Sequence, residues 1–268
     1  PIRKQLYQIE VFPLFQSPIL QTFLVDREGI LWLGTSRGLA SNNSQLFQNY
    51  SSIPVGFLGN EVTAIHEINQ GEYLLGFNNG IQKFSRNGIS TVLKDEFLQD
   101  SPSGRIMNFS ADGYGRVWFS RNLLGAGFLD KESGRVQELT SPAGVSFSSV
   151  QAYGDTLFLV GPRNIFIANL KSGLDKLFNS EITEEIKSYL GGVPVFFRKA
   201  MLLKNGKILI LRASQLENKY PIIEKGGYIL AEGYDALELE NGGVLIGTED
   251  GLRVFQAGYV GYYQYGGQ

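Results

Sequence analysis

Residues 26–39 read DREGILWLGTSRGL, which is a charged turn, a short apolar run and a second turn in close succession. The run from Ile30 to Leu33 lies between two glycine-containing turns and is too short for a helix, but it suits a strand buried on both faces. Gly29 can take a positive φ without steric cost, so the segment from Asp26 to Gly29 is predicted to reverse the chain into a β-hairpin. A single hairpin is unstable in water, and further copies are therefore expected.

The same pattern of turn, apolar run and closing residue recurs along the whole chain. The residues that take the place of Gly34 are Gly34, Gly76, Ser120, Val160, Leu211 and Gly247. Their mean spacing of about 43 residues lies within the roughly 40 to 50 residues typical of a four-stranded propeller blade. Six such markers predict six blades.

Each repeat has room for four strands. An alternating segment such as VTAIHEIN (62–69) precedes each turn, and segments such as GFLDKESGRVQELT (127–140) contain two more short strands around a glycine turn. The longest gap between markers contains SEITEEIKSYL (180–190), in which Ile182, Ile186 and Leu190 recur at helical spacing after Ser180, a candidate N-cap. We predict a short helix there, inserted between the fourth and fifth blades.

The sequence therefore predicts a single all-β domain over residues 1–268, a β-propeller of six four-stranded blades. An open sheet edge invites association, so a propeller ring is expected to close. Two segments compete for the outer strand of the last blade, KQLYQIEVFPLF (4–15) and GYVGYYQY (258–265). A seventh blade assembled from both ends, or an incomplete ring, are the alternatives.

Composition excludes several classes of protein. The chain is 43% hydrophobic and 19% charged, as expected of a folded core, and its net charge of −2 argues against nucleic acid as a partner. No apolar stretch approaches the roughly 18 to 20 residues of a membrane-spanning helix. The absence of cysteine excludes disulfides, thiolate metal sites and a cysteine nucleophile. Because the chain starts at Pro1 without a signal-peptide pattern, we expect it to be a piece of a longer protein.

Two stretches carry a resemblance to a known family. LVDREGILWLGTSRGL (24–39) and ELENGGVLIGTEDGL (238–252) are similar to the two-component regulator propeller repeat, whereas GFNNGI (76–81) lacks the threonine and VWFS (117–120) lacks both glycine and threonine. In that family the repeats build extracytoplasmic propellers on bacterial sensor histidine kinases, commonly ahead of a tyrosine-rich Ig-like domain and a membrane span. The resemblance implies a periplasmic or cell-surface sensor whose kinase lies in other domains. The repeat also occurs in a propeller of the Bacteroidetes secretion machinery.

Several residues suggest chemistry, but ordinary structural roles explain them better. Trp32 and Trp118 occupy equivalent apolar positions, which favours the core over a sugar-stacking role. Asp26 and Asp112 precede equivalent hairpin turns, where aspartate accepts hydrogen bonds from its own turn, and Asp250 lies in another turn. His66 is the one histidine of the chain and could face a central channel as a general base. One histidine without a partner is a weak basis for catalysis, so no catalytic residue, cofactor or metal is predicted.

The turns after the marker strands contain a set of candidate ligand-binding residues. In a propeller these turns emerge at one end of the ring, where arginines could form forked hydrogen bonds with an acidic glycan and asparagines could bind sugar hydroxyls. The set is Arg37, Asn78, Asn79, Arg121, Asn122, Arg163, Asn164 and Arg212.

The function predicted from these patterns is a non-enzymatic sensing propeller of a two-component signalling protein, responsive to carbohydrate. The expected partner is an oligosaccharide or other small ligand, or a neighbouring protein domain. A protein-docking propeller of a secretion apparatus is the alternative, followed by a propeller lyase or hydrolase. Fold alone does not separate these functions.

Overall fold

The computed structural model describes most of the chain, in two compact units that span 1–101 and 102–268. The described residues are 20–36, 38–43, 46–50, 56–95, 104–139, 141–142, 145–192, 195–213, 222–248, 251–256 and 259–263. Arg37, Asp250 and the segment 4–15 lie outside them.

The first unit contains two antiparallel sheets, each with its four strands in sequence order. The first sheet consists of β1 (Leu20–Val25), β2 (Leu31–Thr35), β3 (Gly38–Asn43) and β4 (Leu46–Tyr50). The second consists of β5 (Ala64–Asn69), β6 (Glu72–Phe77), β7 (Gly80–Ser85) and β8 (Gly88–Lys94).

The second unit contains the third to sixth sheets within its described residues. The third is β9 (Ile106–Ala111), β10 (Arg116–Arg121), β11 (Gly125–Asp130) and β12 (Val136–Leu139), and the fourth is β13 (Ser149–Tyr153), β14 (Thr156–Val160) and β15 (Ile165–Asn169). The fifth is β16 (Phe197–Leu202), β17 (Ile208–Arg212), β18 (Ile223–Lys225) and β19 (Tyr228–Glu232). The sixth is β20 (Asp235–Glu238), β21 (Val244–Thr248), β22 (Gly251–Gln256) and β23 (Tyr259–Tyr263).

The prediction of an all-β propeller fold built from four-stranded blades is confirmed. All six markers lie in the second strand of a sheet, and β23 shows that the C-terminal segment supplies the fourth strand of the sixth sheet. The glycine of the first hairpin turn has a positive φ in each sheet; these residues are Gly29, Gly71, Gly115, Gly154, Gly206 and Gly242. The number of blades and the closure of the ring stay predictions.

The fifth sheet departs from the expected order. Its strands run β16-β17-β19-β18, so β19 pairs in parallel with β17, and β18 forms the outer edge. β18, which follows β17 in the chain, therefore lies at the outer edge of the sheet, and its hairpin partner β19 takes the place beside β17.

The fourth sheet lacks a fourth strand among its described residues and carries a helical insertion instead. Two 3₁₀ helices (Leu170–Ser172 and Leu174–Asn179) precede the helix α1 (Thr183–Tyr189), which confirms a short helix at this place. The prediction that Ser180 is its N-cap is wrong, because the Ser180 hydroxyl donates to the Leu177 carbonyl, 2.5 Å away, and ends the preceding 3₁₀ helix. Thr183 accepts from the Ile165 N–H at 3.0 Å, so the insertion covers the open edge of β15.

The second strands are buried because they lie inside each sheet and between neighbouring sheets. Trp118 and Phe158 are fully buried, and Trp32 is nearly so, which confirms the core role predicted for the two tryptophans. The marker glycine Gly34 is closely approached by its neighbours, since a Cβ there would lie 2.6 Å from Thr22 Cγ2 and 2.8 Å from the Val62 carbonyl oxygen. At Gly247 the nearest atom would be 3.7 Å away, which is an ordinary contact.

The turn aspartates bind their own turns, as predicted, and also the marker strands. Asp26 Oδ1 accepts from the N–H groups of Glu28 and Ile30, both at 2.9 Å, and Oδ2 accepts from Trp32 Nε1 at 2.8 Å. Tyr73 of the second sheet donates to the same Oδ2 at 2.6 Å. Asp112 accepts in the same way from its own turn and from Trp118 Nε1, at 2.8 Å.

These hydrogen bonds keep both carboxylates ionised. Burial alone raises the pKa of the Asp26 carboxyl, but the donors Tyr73, Trp32 and the turn N–H groups together hold that pKa below its usual value. Burial and hydrogen bonds led by Trp118 act on Asp112 with the same net result, a lowered pKa. Folding therefore favours the ionised form of both carboxyl groups over the protonated form.

Replacing Gly34 by alanine is expected to destabilise the first unit by about 1–3 kcal/mol, because the new methyl group would overlap a backbone oxygen that cannot move aside cheaply. Urea unfolding measures the change. Gly247→Ala is the matched control and is expected to change stability by about 0.5 kcal/mol or less. Equal losses in the two variants would contradict the close-approach explanation.

Asp26→Asn is expected to cost about 1–3 kcal/mol at neutral pH, since an amide presents a donor where Trp32 or Tyr73 also donates. Because the pKa of Asp26 is lower in the folded chain, its contribution is complete above the ordinary pKa of 3.8 and is lost as the pH falls through the lowered value. The stability gap between wild type and Asp26→Asn should therefore shrink in acid. Unfolding curves across that range, with Glu132→Gln as an exposed control, test this; a gap that is constant with pH would refute it.

Candidate functional site

The predicted ligand-binding residues lie at one end of their sheets, where the second strand turns into the third. We call this the marker-turn end of each sheet; the described turn residues of the set are Asn78 and Asn79 in the first unit and Asn122, Arg163 and Asn164 in the second. At the opposite end, the hairpin end, the first strand turns into the second.

A cleft of about 580 Å³ lies at the marker-turn end of the second sheet. We call it the amide cleft, and its lining residues are Phe57, Leu58, Gly59, Asn60, Glu61, Asn78, Asn79 and Lys94. Its walls carry amide, carboxylate and ammonium groups within reach of one ligand, a mixture of donors and acceptors that suits a polyhydroxylated molecule.

The turn that carries the two asparagines is fixed by Gly80. Its φ is +155°, and a Cβ there would lie 2.0 Å from the Leu93 carbonyl oxygen, so only glycine fits beside β8. Asn79 is buried, and its carbonyl accepts from the Asp95 N–H at 2.8 Å. The turn is thus tied to β8 and its continuation.

Asn78 is held between the turn and the opposite wall. Its Nδ2 donates to Glu61 Oε2 at 3.0 Å, while its Oδ1 is buried without a hydrogen-bond partner among the described residues. The opposite wall is held by the buried Gln82, which accepts from the Leu58 N–H at 3.0 Å and donates to the Gly56 carbonyl at 3.1 Å. A buried amide oxygen that lacks a donor is uncommon.

Arg121 and Arg212 are placed differently from the prediction. Each is the last residue of a second strand and is buried, 5% and 3% exposed. Arg121 is paired with Glu138 on β12, and Arg212 Nη1 lies 3.2 Å from Glu232 Oε1 on β19. These guanidinium groups neutralise carboxylates within their own sheets, and we therefore leave them out of the proposed ligand contacts.

The remaining predicted residues of the second unit lie in turns. Asn122 is half-buried, and its N–H donates to the Arg105 carbonyl at 2.8 Å. Asn164 Nδ2 donates to Glu181 Oε1 at 2.7 Å, which turns it toward the helical insertion. Arg163 is exposed, and its guanidinium lies 5.8 Å from the centroid of the Phe196 ring. Of these three, Arg163 presents its side chain to solvent.

Sequence reasoning missed three residues at this end of the second unit: Phe196, Arg198 and Tyr234. Phe196 and Tyr234 each come directly before the first strand of a sheet and are 40% and 52% exposed. The Arg198 guanidinium lies 4.0 Å from the centroid of the Tyr234 ring. We call Arg163–Phe196 and Arg198–Tyr234 the stacked arginine pairs. The sequence signal that could have found them is an aromatic residue directly before the first strand, which occurs in both the fifth and the sixth sheet.

No metal or acid–base centre is evident in the described part of the chain. His66 is half-buried on β5 opposite Leu74, and no group of three or more potential metal ligands occurs among the residues that the structure covers. None of the described helices is long and apolar enough to span a membrane.

Comparisons with known proteins identify the fold. The sequence matches no protein-family model and no curated protein. Solved structures do match: 93% of the chain superposes on the extracellular domain of the hybrid two-component system BT3049 from B. thetaiotaomicron, with a TM-score of 0.71 at 15% identity. The corresponding domain of BT4673 from the same organism matches 96% of the chain, with a TM-score of 0.67 at 16% identity.

A third neighbour is an enzyme. A catalytically inactive virginiamycin B lyase from Staphylococcus aureus, with quinupristin, matches 93% of this chain and 85% of its own, with a TM-score of 0.64 at 14% identity. The chain spans only about a third of the two-component domains, 35% and 34%. At these identities the likeness establishes the fold, a β-propeller of the kind found in extracellular domains of two-component systems.

Proposed function

We propose that this chain is a non-enzymatic, extracytoplasmic sensing propeller of a two-component signalling protein and that it binds an oligosaccharide in the amide cleft of its first unit. The observation that carries the proposal is the amide cleft, found in a chain of which nine-tenths superposes on extracellular domains of two-component systems. Periplasmic or cell-surface location, and a kinase in other parts of the protein, belong to the same proposal.

The chemistry of the cleft supports a saccharide ligand. Sugar hydroxyls both donate and accept, and the cleft offers the amides of Asn60, Asn78 and Asn79 beside the carboxylate of Glu61 and the ammonium of Lys94. Its volume lies within the roughly 300–1,000 Å³ of small-molecule sites.

Within the second unit, the stacked arginine pairs support the binding of an acidic ligand. A guanidinium over an aromatic ring is held in a fixed plane, so it loses less freedom when it forms forked hydrogen bonds with a carboxylate or sulfate group. The two pairs repeat at successive sheets of the second unit, which suits a ligand with repeated acidic groups.

Asn78→Ala is expected to weaken saccharide binding about tenfold, because it removes one wall of the cleft and the amide that Glu61 holds in place. Calorimetric titration with neutral, uronic-acid-containing and sulfated oligosaccharides measures the affinity. Asn205→Ala, an exposed asparagine in a hairpin turn of the second unit, is the control and should bind as wild type does. Absence of binding by every saccharide class, or equal affinity for wild type and Asn78→Ala, would overturn the proposal in favour of protein docking.

The double variant Arg163→Ala/Arg198→Ala is expected to weaken acidic oligosaccharides at least tenfold and to leave neutral ones unchanged, with the effect largest at low salt. Lys131→Ala/Arg135→Ala removes the same charge from an exposed turn at the other end of the third sheet and is the matched control. If both double variants weaken acidic ligands equally, net charge rather than the stacked pairs would explain the binding.

A further inference from the structure

Asparagine is followed directly by glycine at four places in the chain, and each of them lies in a turn between two strands. The dipeptides are Asn79–Gly80, Asn87–Gly88, Asn205–Gly206 and Asn241–Gly242. Glycine is favoured in such turns because it lacks a Cβ. The same lack leaves its backbone nitrogen open to the side-chain amide of the preceding residue, so each dipeptide has the atoms for intramolecular deamidation.

Three of the four asparagine side chains are restrained by the fold. Asn79 is buried, 4% exposed. Asn205 and Asn241 are exposed, but the Oδ1 of each accepts from the N–H two residues further on, that of Lys207 and that of Gly243, both at 3.0 Å. A side chain held in this way must break a hydrogen bond, and a buried one must leave its packing, before its amide carbon can approach the glycine nitrogen.

Asn87, in the turn between β7 and β8, lacks both restraints. It is exposed, as are its neighbours Arg86 and Gly88. Its backbone N–H donates to Ser85 Oγ at 3.2 Å, but its side-chain amide makes no hydrogen bond with any residue that the structure describes. A Cβ at Gly88 would have nothing within 4 Å, so water reaches the turn freely. The Asn87 amide is therefore free to move toward the Gly88 nitrogen.

We infer that Asn87 is a site of spontaneous deamidation in the folded protein and that it reacts before the other three asparagines. The Gly88 nitrogen loses its proton and attacks Asn87 Cγ; the N–Cγ bond forms, the Cγ–Nδ2 bond breaks, and ammonia leaves with that proton. The cyclic succinimide then takes up one water, which opens it at either carbonyl to give aspartate or isoaspartate. Water is the only co-reactant that the step requires.

Either product changes the turn between β7 and β8. Both add a carboxylate beside Arg86, and isoaspartate also routes the backbone through the former side chain, which inserts one methylene group before Gly88. Ser85 and Gly88 are partners across the hairpin, so the added length falls at the end of this strand pair, where it disturbs the register. Neither Asn87 nor Gly88 lines the amide cleft or belongs to the stacked arginine pairs, so the inference does not depend on the proposed function.

The test is to incubate the folded chain at mildly alkaline pH for several days and to measure conversion at all four asparagines in one sample, by digestion and mass spectrometry. Asn87 is expected to convert about fivefold faster, or more, than Asn205 and Asn241, the ratio expected when one hydrogen bond must break first. Asn79 is expected to be the slowest of the four, because it is buried.

A sample unfolded in guanidinium chloride is the control, and there the four sites should convert at similar rates because the fold no longer distinguishes them. Asn87→Gln should abolish the reaction at that turn and leave the other three rates unchanged. A rate at Asn87 equal to or below that at Asn205 or Asn241 in the folded sample would overturn the inference. A ratio that persists in the unfolded sample would overturn it as well, since local sequence rather than the fold would then set the order.

Discussion

The carboxylate of Asp26 joins the two sheets of the first unit, and much of that unit is arranged around it. It accepts from its own turn, from Trp32 of its own sheet and from Tyr73 of the next. A four-stranded sheet cannot bury both faces alone, so neighbouring sheets must pack, and any polar atom caught between them needs a partner. One buried anion satisfies the turn N–H groups, the indole and the phenol together. The positions of Trp32 and Tyr73 in the core between the two sheets follow from it.

In the second unit, polar backbone groups between neighbouring sheets are paired by side chains at the edge of a first strand. The first strand of each sheet has an edge without a backbone partner, and at β13 that edge is satisfied by side chains of β9. Asn108 Oδ1 accepts from the Val150 N–H at 2.9 Å and its Nδ2 donates to the Val150 carbonyl at 2.6 Å, while Ser110 Oγ accepts from the Ala152 N–H at 2.8 Å. The partners are separated by 42 residues, close to the repeat length, because the repeat determines which residues of neighbouring sheets lie face to face.

The sequence correctly predicted those features that depend on short-range chemistry. The turn glycines, the turn aspartates and the buried tryptophans follow from residue type and from repetition at one period. Failures arose where a distant residue decides. Arg121 and Arg212 looked like turn arginines, but their carboxylate partners, Glu138 and Glu232, come 17 and 20 residues later on other strands. The parallel pairing of β17 with β19 cannot be predicted from local sequence either, since either strand of the β18–β19 hairpin could have paired with β17.

The two sheets of the first unit are also joined by side chains at their hairpin ends. Gln70 Nε2 donates to Glu28 Oε1 at 3.0 Å, and the Arg27 N–H donates to Glu67 Oε2 at 3.1 Å. The amide cleft lies elsewhere on the same unit, between the segment that links the first sheet to the second and a turn of the second sheet. A ligand that bound better at one arrangement of these elements would stabilise that arrangement by linkage.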